Sequence, residues 1–308
     1  MIESNHHESV LFNESIEGLN IKIDGVYVDA TIGRCGHTKG ILKNLGNSGK
    51  VIGLDQDMDA INYARINLPD PRLTVIHCNF SKLQDNLSQL NLLGKVDGIL
   101  MDLGISSPQI DNAARGFSFN KDGALDMRMD QTQTVTAASW LRDSNETEIA
   151  NALYQYGEEK RSRVIASTIK EYQKNNDLNS TLELANLIST VVRPGKKKHP
   201  ATRSFQAIRI IINDELKKLS AALDQSIEAL STNGRLAIIT FHSIEDRIVK
   251  QFIRKHSRPE EVLKGLPIRT NDNSQCILKD LGKIKPSRQE ILSNRRSRSA
   301  ILRLVEKC

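Results

Sequence analysis

Residues 25–55 read GVYVDATIGRCGHTKGILKNLGNSGKVIGLD, and this stretch decides the fold. Apolar runs open and close it, at 25–30 and 50–55, and between them lie a glycine-containing loop and a helical pattern. Two further runs, at 73–78 and 96–102, continue the series, so that successive starts fall about 24 residues apart. That step is the length of a strand, a helix and two short loops, which is typical of a parallel sheet flanked by helices. The sequence therefore predicts an α/β fold.

The regular strand pattern stops after Pro108. Residues 111–200 contain helical patterns and no convincing strand, whereas strand-like runs return afterwards. This organisation predicts an all-helical insert at 111–200 that interrupts a discontinuous α/β domain made of residues 1–110 and 201–308.

The returning part of the chain contains a long helical pattern and two strands. Apolar residues at steps of three and four predict one helix over 205–230, which the Asn-Gly pair at 233–234 would end. A strand at 235–240 follows at once, and then a helix opened by Ser243, with an aspartate three residues on as a partial capping box. The last apolar segment, 300–305, is consistent with an edge strand or a short helix, and its brief apolar run without caps favours the strand.

Charge is unevenly spread along the 308 residues. Residues 1–192 carry 18 basic and 25 acidic side chains, whereas residues 193–308 carry 25 basic and 12 acidic ones. The overall charge of +6 therefore combines a net −7 with a net +13. A strongly basic final third suggests a polyanionic partner, and a merely solvated surface is the alternative.

Several classes of protein are excluded. The longest unbroken apolar run, 236–239, is too short to span a bilayer, and the first ten residues lack the basic and apolar parts of a secretory signal. The four cysteines are widely scattered, without the close spacing of zinc or redox motifs. These features predict a cytoplasmic protein with no membrane contact, no structural disulfide and no metal site.

The loop after the first strand, residues 29–38, is the sharpest local feature. In an open α/β sheet this loop lies at the carboxyl edge, where Gly33 and Gly36 let a ligand approach backbone N–H groups. Asp55 ends the second strand 19 residues after Gly36, where a carboxylate can accept hydrogen bonds from both ribose hydroxyls. A glycine loop alone is also an ordinary tight turn, but with Asp55 it predicts an adenosine-type cofactor.

The acidic residues around this loop favour a cationic cofactor. The full G-x-G-x-x-G fingerprint of a dinucleotide site is missing. Asp29, at the end of the first strand, could hold the amino group or balance the sulfonium of S-adenosylmethionine. Phe80, after the third strand, would flank the adenine, and Asp102, at the end of the fourth, completes an acidic rim.

Nine segments carry a resemblance to a known family. The chain resembles the MraW family of small-subunit ribosomal RNA methyltransferases, from about His7 to the last strand, on DATIGRCGHT, GLDQD, ILMDLGISSPQID, RGFSF, LDMRMD, YGEEKRSRVIA, HPATRSFQAIRI, TFHSIEDRIVK and NRRSRSAILR. The resemblance implies a class I, Rossmann-like methyltransferase sheet with an inserted all-helical recognition domain. It also implies S-adenosylmethionine-dependent methylation at N4 of a cytidine in the decoding region of small-subunit ribosomal RNA.

The resemblance also implies cofactor contacts. Carried over position by position, they fall on Cys35, Gly36, His37, Asp55, Phe80, Asp102 and Gln109. The first of these is usually glycine in the family. If the backbone φ is positive there, a cysteine costs about 1 kcal/mol or more.

The implied reaction needs a proton acceptor near the exocyclic amine of the cytidine. Asp102 and the backbone carbonyls of the loop at 103–108 are the expected acceptors. His242, at the end of the returning strand, is a second catalytic candidate, and its alternative role is to orient the turn before Ser243. This chemistry requires no metal.

RNA binding is predicted from two aromatic residues and two basic clusters. Phe117 and Phe119 could stack on an extruded target base, and packing inside the insert is the alternative. The clusters, which could follow RNA phosphates, are Lys196, Lys197, Lys198, His199 and Arg203, and Arg295, Arg296, Arg298 and Arg303.

The expected partner is small-subunit ribosomal RNA or the small ribosomal subunit, bound by a monomer or a homodimer. Two alternatives stay open: a methyltransferase for another nucleic acid, such as DNA or transfer RNA, and a non-catalytic RNA-binding ribosome assembly factor. A dehydrogenase is the weakest interpretation because the dinucleotide glycine pattern is missing.

Overall fold

The computed structural model describes residues 9–194, 199–258 and 276–308. The chain divides into two compact units, one of Met1–Gly104 with Leu216–Cys308 and one of Ile105–Glu215. The strands are β1 (Val26–Asp29), β2 (Lys50–Asp55), β3 (Leu73–His77), β4 (Val96–Asp102), β5 (Leu230–Thr240), β6 (Leu278–Ile284) and β7 (Ile301–Lys307). The α-helices of the described residues are α1 (Phe12–Leu19), α2 (Gly36–Asn44), α3 (Met58–Asn67), α4 (Leu83–Gln89), α5 (Ser107–Asp111), α6 (Ala137–Asp143), α7 (Glu146–Gly157), α8 (Ser162–Tyr172), α9 (Thr181–Val191), α10 (Thr202–Asn213), α11 (Glu215–Ala229), α12 (Ser243–His256) and α13 (Arg288–Ser293).

The seven strands form one sheet in the first unit, in the order β3-β2-β1-β4-β5-β7-β6. Strands β1 to β5 run parallel, and β7 is antiparallel to both of its neighbours. The parallel α/β sheet that the sequence predicts is confirmed.

Both faces of the central strands are covered. Val28 and Ile99 pack into the core on one face, whereas Tyr27 and Leu100, one residue away along the same strands, pack into the core on the other. Each fully buried side chain of this size contributes about 1.5–3 kcal/mol. The strands are therefore held on both sides, and the loops at their carboxyl ends start from fixed points.

The strand predicted at 300–305 is confirmed, but the prediction that it lies at the edge of the sheet is wrong. Strand β7 lies between β5 and β6, and β6 forms the edge of the sheet. The sequence of β6 is LKDLGKI, and its three charged side chains are exposed. Charged side chains on an edge strand discourage pairing with another chain, and they also weaken the apolar pattern by which a strand is recognised.

The single helix predicted over 205–230 is two helices. Helix α10 ends where Asp214 adopts a left-handed φ of 49°, and α11 begins at the next residue. Asn213, fully buried at this break, donates a hydrogen bond to the Met127 carbonyl over 2.8 Å and accepts one from the Met129 N–H over 2.7 Å. A long-range contact thus ends α10, although the apolar periodicity continues past it.

Strand β5 also differs from its prediction. It begins at Leu230 rather than at 235, and the Asn-Gly pair at 233–234 lies inside it instead of ending a helix. The pairing of β5 with β4 shifts register in this stretch. The positive φ of Asn233, 62°, therefore serves an irregularity in a strand rather than a helix cap.

The second unit consists of helices α5 to α10 around one apolar core. Ile149, Ile188 and Ile208, from α7, α9 and α10, are fully buried in it. Its bounds, Ile105–Glu215, are wider than the insert predicted at 111–200, because α10 packs into the helical core. A role of this unit in substrate recognition stays a prediction.

Among the described residues, no helix is both long and apolar enough to cross a membrane.

Candidate functional site

Three carboxylates lie at the carboxyl edge of the sheet, and the first of them organises the loop after β1. Asp29 is buried, accepts a hydrogen bond from the Thr38 hydroxyl over 2.6 Å and accepts another from the Thr31 N–H over 3.2 Å. Burial raises its pKa to about 6. Asp29 therefore joins the beginning of the loop to the first turn of α2, and its charge contributes to the field of the site.

Cys35 has the strained conformation for which glycine is suited. Its φ is 61°, in the left-handed region, and it stands directly before α2. Its N–H donates to the Ile32 carbonyl over 2.7 Å, and its carbonyl accepts from the Lys39 N–H over 2.9 Å. The thiol is fully buried against Ile61, and burial raises its pKa to about 11. Cys35 thus shapes the loop with its backbone and fills a small apolar core with its side chain.

Gly36 is needed because another segment of the chain comes very close. A Cβ at this position would overlap the side chain of Ser9. Residues 9–11 therefore lie across the first turn of α2, and a larger side chain at 36 would push them away.

His37 is buried and neutral. Its Nε2 lies 3.2 Å from the Val10 carbonyl, and its ring stacks on Phe12 with centroids 6.0 Å apart. Burial lowers its pKa to about 4. Because a carbonyl only accepts hydrogen bonds, Nε2 carries the proton and Nδ1 has a free lone pair. Nδ1 faces Asp102, with 3.8 Å between Nδ1 and Oδ2.

Asp102 ends β4 with one oxygen unsatisfied. Its backbone N–H donates to the Thr31 hydroxyl over 2.7 Å, which fixes the strand end to the loop. Its Oδ1 is buried and has no hydrogen-bond partner among the described residues, whereas 26% of the side chain is exposed. Burial, followed by the charges of Asp29 and Glu245, raises its pKa to about 8. A buried carboxylate oxygen of this kind calls for an N–H donor or a cation.

Asp55 and Phe80 occupy the adjacent strand ends. The carboxylate of Asp55 accepts from the Gly33 N–H over 3.0 Å and from the Asp57 N–H over 2.9 Å, and burial raises its pKa to about 6. Asp55 pairs with His77 at the end of β3, and Phe80 follows three residues later, half-buried at the start of a 3₁₀ turn. The structure thus brings Gly36, His37, Asp55, Phe80 and Asp102 to one edge of one sheet.

His242 caps a helix, which was the alternative to its catalytic role. It is the N-cap of α12, and its Nδ1 accepts from the Glu245 N–H over 3.4 Å. The buried carboxylate of Glu245 accepts in return from the N–H groups of Phe241, over 2.9 Å, and His242, over 3.3 Å. The predicted capping by Ser243 with Asp246 is therefore wrong by one residue at both positions.

Asp246 pairs with a residue predicted to bind RNA. Arg303 is 9% exposed, and its Nε and Nη2 donate to the two Asp246 carboxylate oxygens over 2.8 and 3.0 Å. This fork-like ion pair ties β7 to α12. The inclusion of Arg303 in a phosphate-binding cluster is corrected, because its guanidinium is buried and committed to this pair.

The other basic residues differ in their surroundings. Arg295, Arg296 and Arg298 are exposed on a 3₁₀ turn, Arg295–Ser299, between α13 and β7. In the second unit Arg203 is exposed and donates to the Glu158 carbonyl over 3.3 Å. The predicted Lys196, Lys197 and Lys198 lie outside the described residues.

The remaining predicted site residues belong to the second unit. Gln109 is buried and forms a capping box with Ser106 at the start of α5, where its side-chain oxygen accepts the Ser106 N–H over 2.9 Å. Phe117 is 8% exposed within the helical core, which favours the packing alternative for this residue. Phe119 is half-buried and stacks on His199 with centroids 4.5 Å apart.

Comparison with known proteins assigns the family. The model of the MraW methylase family matches residues 4–308. The chain belongs to the MraW methylase family. The ribosomal RNA small subunit methyltransferase H of Vesicomyosocius okutanii is 58% identical over 302 residues, which are 98% of each chain. The protein of the same name from Ruthia magnifica is 57% identical over 303 residues, 98% of this chain and 99% of that one. A solved rRNA methylase from Streptococcus thermophilus has a TM-score of 0.40 and 14% identity, with 96% of this chain and 94% of that chain covered.

Membership of a methylase family confirms the predicted class I methyltransferase fold and the S-adenosylmethionine cofactor. The carboxyl edge of the sheet suits this cation chemically. Asp29 and Asp55, each with a pKa of about 6, give it a negative field near neutral pH, and the unpartnered Oδ1 of Asp102 provides an acceptor for a donor from outside the chain.

Sequence reasoning missed two carboxylates that hold the elements next to this edge of the sheet. Glu245 could have been found, because a helix-capping residue followed three positions later by glutamate is the spacing of a capping box. Glu290 accepts the Leu11 N–H over 2.8 Å across a sequence separation of 279 residues. No local pattern in the sequence points to that contact.

Proposed function

We propose that this chain transfers the methyl group of S-adenosylmethionine to the N4 amine of a cytidine in the decoding region of small-subunit ribosomal RNA. The names of the two relatives support the RNA class, and the resemblance of the motifs supports the position of the methyl group. The observation that carries the chemistry is Asp102, a half-buried carboxylate with one buried, unpartnered oxygen, 3.8 Å from a neutral imidazole.

In this proposal the cofactor lies across the ends of β1, β2 and β4. Asp55 accepts hydrogen bonds from the ribose hydroxyls. It uses the lone pairs of its carboxylate that the N–H groups of Gly33 and Asp57 do not occupy. Phe80 flanks the adenine, and the N–H groups at Gly36 and His37, in the first turn of α2, face the ligand. Cys35 shapes the loop through its backbone. For Gln109, the family resemblance implies a contact with the cofactor.

Asp102 receives the proton that methylation releases. The cofactor supplies a methyl group that its sulfonium has already activated. Because the lone pair of the cytidine amine is delocalised into the ring, an acceptor that holds one N–H favours attack by the nitrogen. The nitrogen would gain the methyl group as the carbon–sulfur bond of the sulfonium breaks and a neutral thioether leaves, and it would lose a proton to the Asp102 carboxylate. Asp102 has a raised pKa of about 8 in the ligand-free chain, and a bound sulfonium cation would lower that pKa and favour the carboxylate that takes up the proton.

RNA binding in this proposal relies on exposed arginines. Arg295, Arg296 and Arg298 follow α13 as three cationic side chains on one turn, which suits contacts to successive phosphates. Arg203 and the lysines at 196–198 keep their predicted role as a second basic cluster.

The proposal is tested by methyl transfer to competing acceptors. The chain is incubated with S-adenosylmethionine labelled on the methyl group and with unmodified small subunits, transfer RNA or DNA. We expect label in the small subunits alone. Transfer to DNA or transfer RNA instead would identify the alternative methyltransferase.

A non-catalytic assembly factor is distinguished in cells. Asp102→Asn should abolish the modification in cells, and Asp85→Asn, at an exposed carboxylate of α4, is the matched control. A cell in which Asp102→Asn preserves every function of the chain would favour the assembly factor.

A further inference from the structure

One peptide group connects His37 to a carboxylate on the far side of the N-terminal segment. The carbonyl of Val10 lies 3.2 Å from His37 Nε2. The N–H of Leu11 donates to Glu290 Oε1 over 2.8 Å. These two atoms belong to the same peptide bond, so that Glu290 and His37 hold its opposite ends.

The backbone at this peptide is specialised. Leu11 is fully buried and adopts a φ of 51°, in the left-handed region that a leucine seldom occupies. Gly36 allows the neighbouring Ser9 to approach α2. The chain thus bears backbone strain and a tight contact to keep the Val10–Leu11 peptide in this orientation.

The two hydrogen bonds reinforce each other. A carboxylate that accepts a peptide N–H polarises the peptide and makes its carbonyl oxygen a stronger acceptor. A stronger acceptor at Val10 favours the imidazole tautomer with the proton on Nε2. In that tautomer Nδ1 has its lone pair directed toward Asp102, 3.8 Å away.

We propose that Glu290 is a positioning residue that acts through the Val10–Leu11 peptide to keep the His37 proton on Nε2. When Asp102 is ionised, His37 Nδ1 and the Asp102 carboxylate are then two acceptors for the same donor. If the proton moved to Nδ1, it would point at Asp102 and compete with that donor. The effect on catalysis rests on the proposed function, whereas the effect on the tautomer does not.

A purely structural role for Glu290 is the competing explanation. Glu290 lies in the first turn of α13, where an acidic side chain is favourable for the helix, and its N–H donates to the Ser287 hydroxyl over 3.1 Å. Glu14 offers a matched control because it lines the same open cavity, of about 280 Å³, as Glu290. Its carboxylate accepts no hydrogen bond from the residues that the structure describes.

The test is the tautomer of His37, read from the ¹⁵N chemical shifts of its two ring nitrogens in the folded chain alone. We expect the proton on Nε2 in the unmodified chain and in Glu14→Gln, and a population with the proton on Nδ1 in Glu290→Gln. Methyl transfer by Glu290→Gln should slow about tenfold in kcat with KM for small subunits unchanged.

An unchanged tautomer in folded Glu290→Gln would overturn the proposal, whatever the activity. If Glu290→Gln does not fold, Glu290→Asp, which withdraws the carboxylate from Leu11, should change the tautomer in the same direction, and an unchanged tautomer there is equally contrary. A normal tautomer response in a chain that methylates nothing would reject the proposed function and leave this inference in place.

Discussion

His37 Nδ1 and Asp102 Oδ2 lie 3.8 Å apart at the carboxyl edge of the sheet, and when Asp102 is ionised both are acceptors. Two acceptors at this distance do not bond directly. The arrangement costs free energy in the isolated chain, and a ligand that brings N–H groups relieves that cost. The site is therefore built for a donor that the chain itself does not supply.

Asp102→Asn should stabilise the ligand-free chain in a pH-dependent way. Burial, Asp29 and Glu245 raise the pKa of Asp102 to about 8 from an ordinary value of 3.8, so the folded state holds this proton more tightly than the unfolded state. The stability that the protonated group contributes is full below pH 3.8 and is lost as pH rises through about 8. Asparagine does not ionise and avoids this loss.

The measurement is urea denaturation at pH 5 and pH 9. The free energy of unfolding of Asp102→Asn minus that of the unmodified chain should be about 1–2 kcal/mol larger at pH 9 than at pH 5. A difference that stays constant with pH, or grows toward acid, would contradict the assignment of Asp102 as an unpartnered buried carboxylate.

At Cys35, glycine should be tolerated better than alanine. Both substitutions remove the buried thiol, but only alanine keeps a Cβ at a φ of 61°. We expect Cys35→Gly to be about 0.5–1 kcal/mol more stable than Cys35→Ala. Cys78, which has no positive φ, is the control, and there alanine should be the more stable of the two. Urea denaturation measures the stability of the glycine and alanine variants at both positions. If the alanine variant is the more stable one at Cys35 as well as at Cys78, the backbone argument is refuted.

The exposed arginines near the C-terminus should bind RNA, whereas the buried Arg303 should stabilise the fold. Replacing Arg295 and Arg298 together with alanine should weaken binding to small-subunit RNA and reduce the slope of log K against log salt by about 2, one unit for each phosphate contact. Arg303→Ala should leave the slope unchanged and lower the free energy of unfolding by about 2 kcal/mol, because it leaves the Asp246 carboxylate without its partner. Arg65→Ala, at an exposed site on α3, is the neutral control. An unchanged slope for the double variant would remove this turn from the RNA interface.

Much of the site could be predicted because a parallel sheet converts sequence order into spatial order. Asp29, Asp55 and Asp102 each end an apolar run, and the carboxyl ends of parallel strands share one edge. From that rule alone, the sequence predicts that the three carboxylates lie close together. The loop and the start of α2 followed from their glycines.

The remaining features depend on contacts between distant parts of the chain. The Glu290–Leu11 hydrogen bond spans 279 residues and the Arg303–Asp246 pair spans 57. The break before α11 depends on Asn213, which bonds to the backbone of Met127 and Met129, more than 80 residues away. Hydrophobic periodicity reports which face of an element is buried, but it does not report which polar group meets which.

The central claim is tested most directly by nucleoside analysis of small-subunit RNA. Unmodified small subunits are incubated with S-adenosylmethionine and either the unmodified chain or Asp102→Asn, and the RNA is digested and examined for N4-methylcytidine. We expect N4-methylcytidine from one site in the decoding region with the unmodified chain, and a rate at least about 100-fold lower with Asp102→Asn. The absence of N4-methylcytidine with the unmodified chain, or its formation at an undiminished rate by Asp102→Asn, would contradict the account.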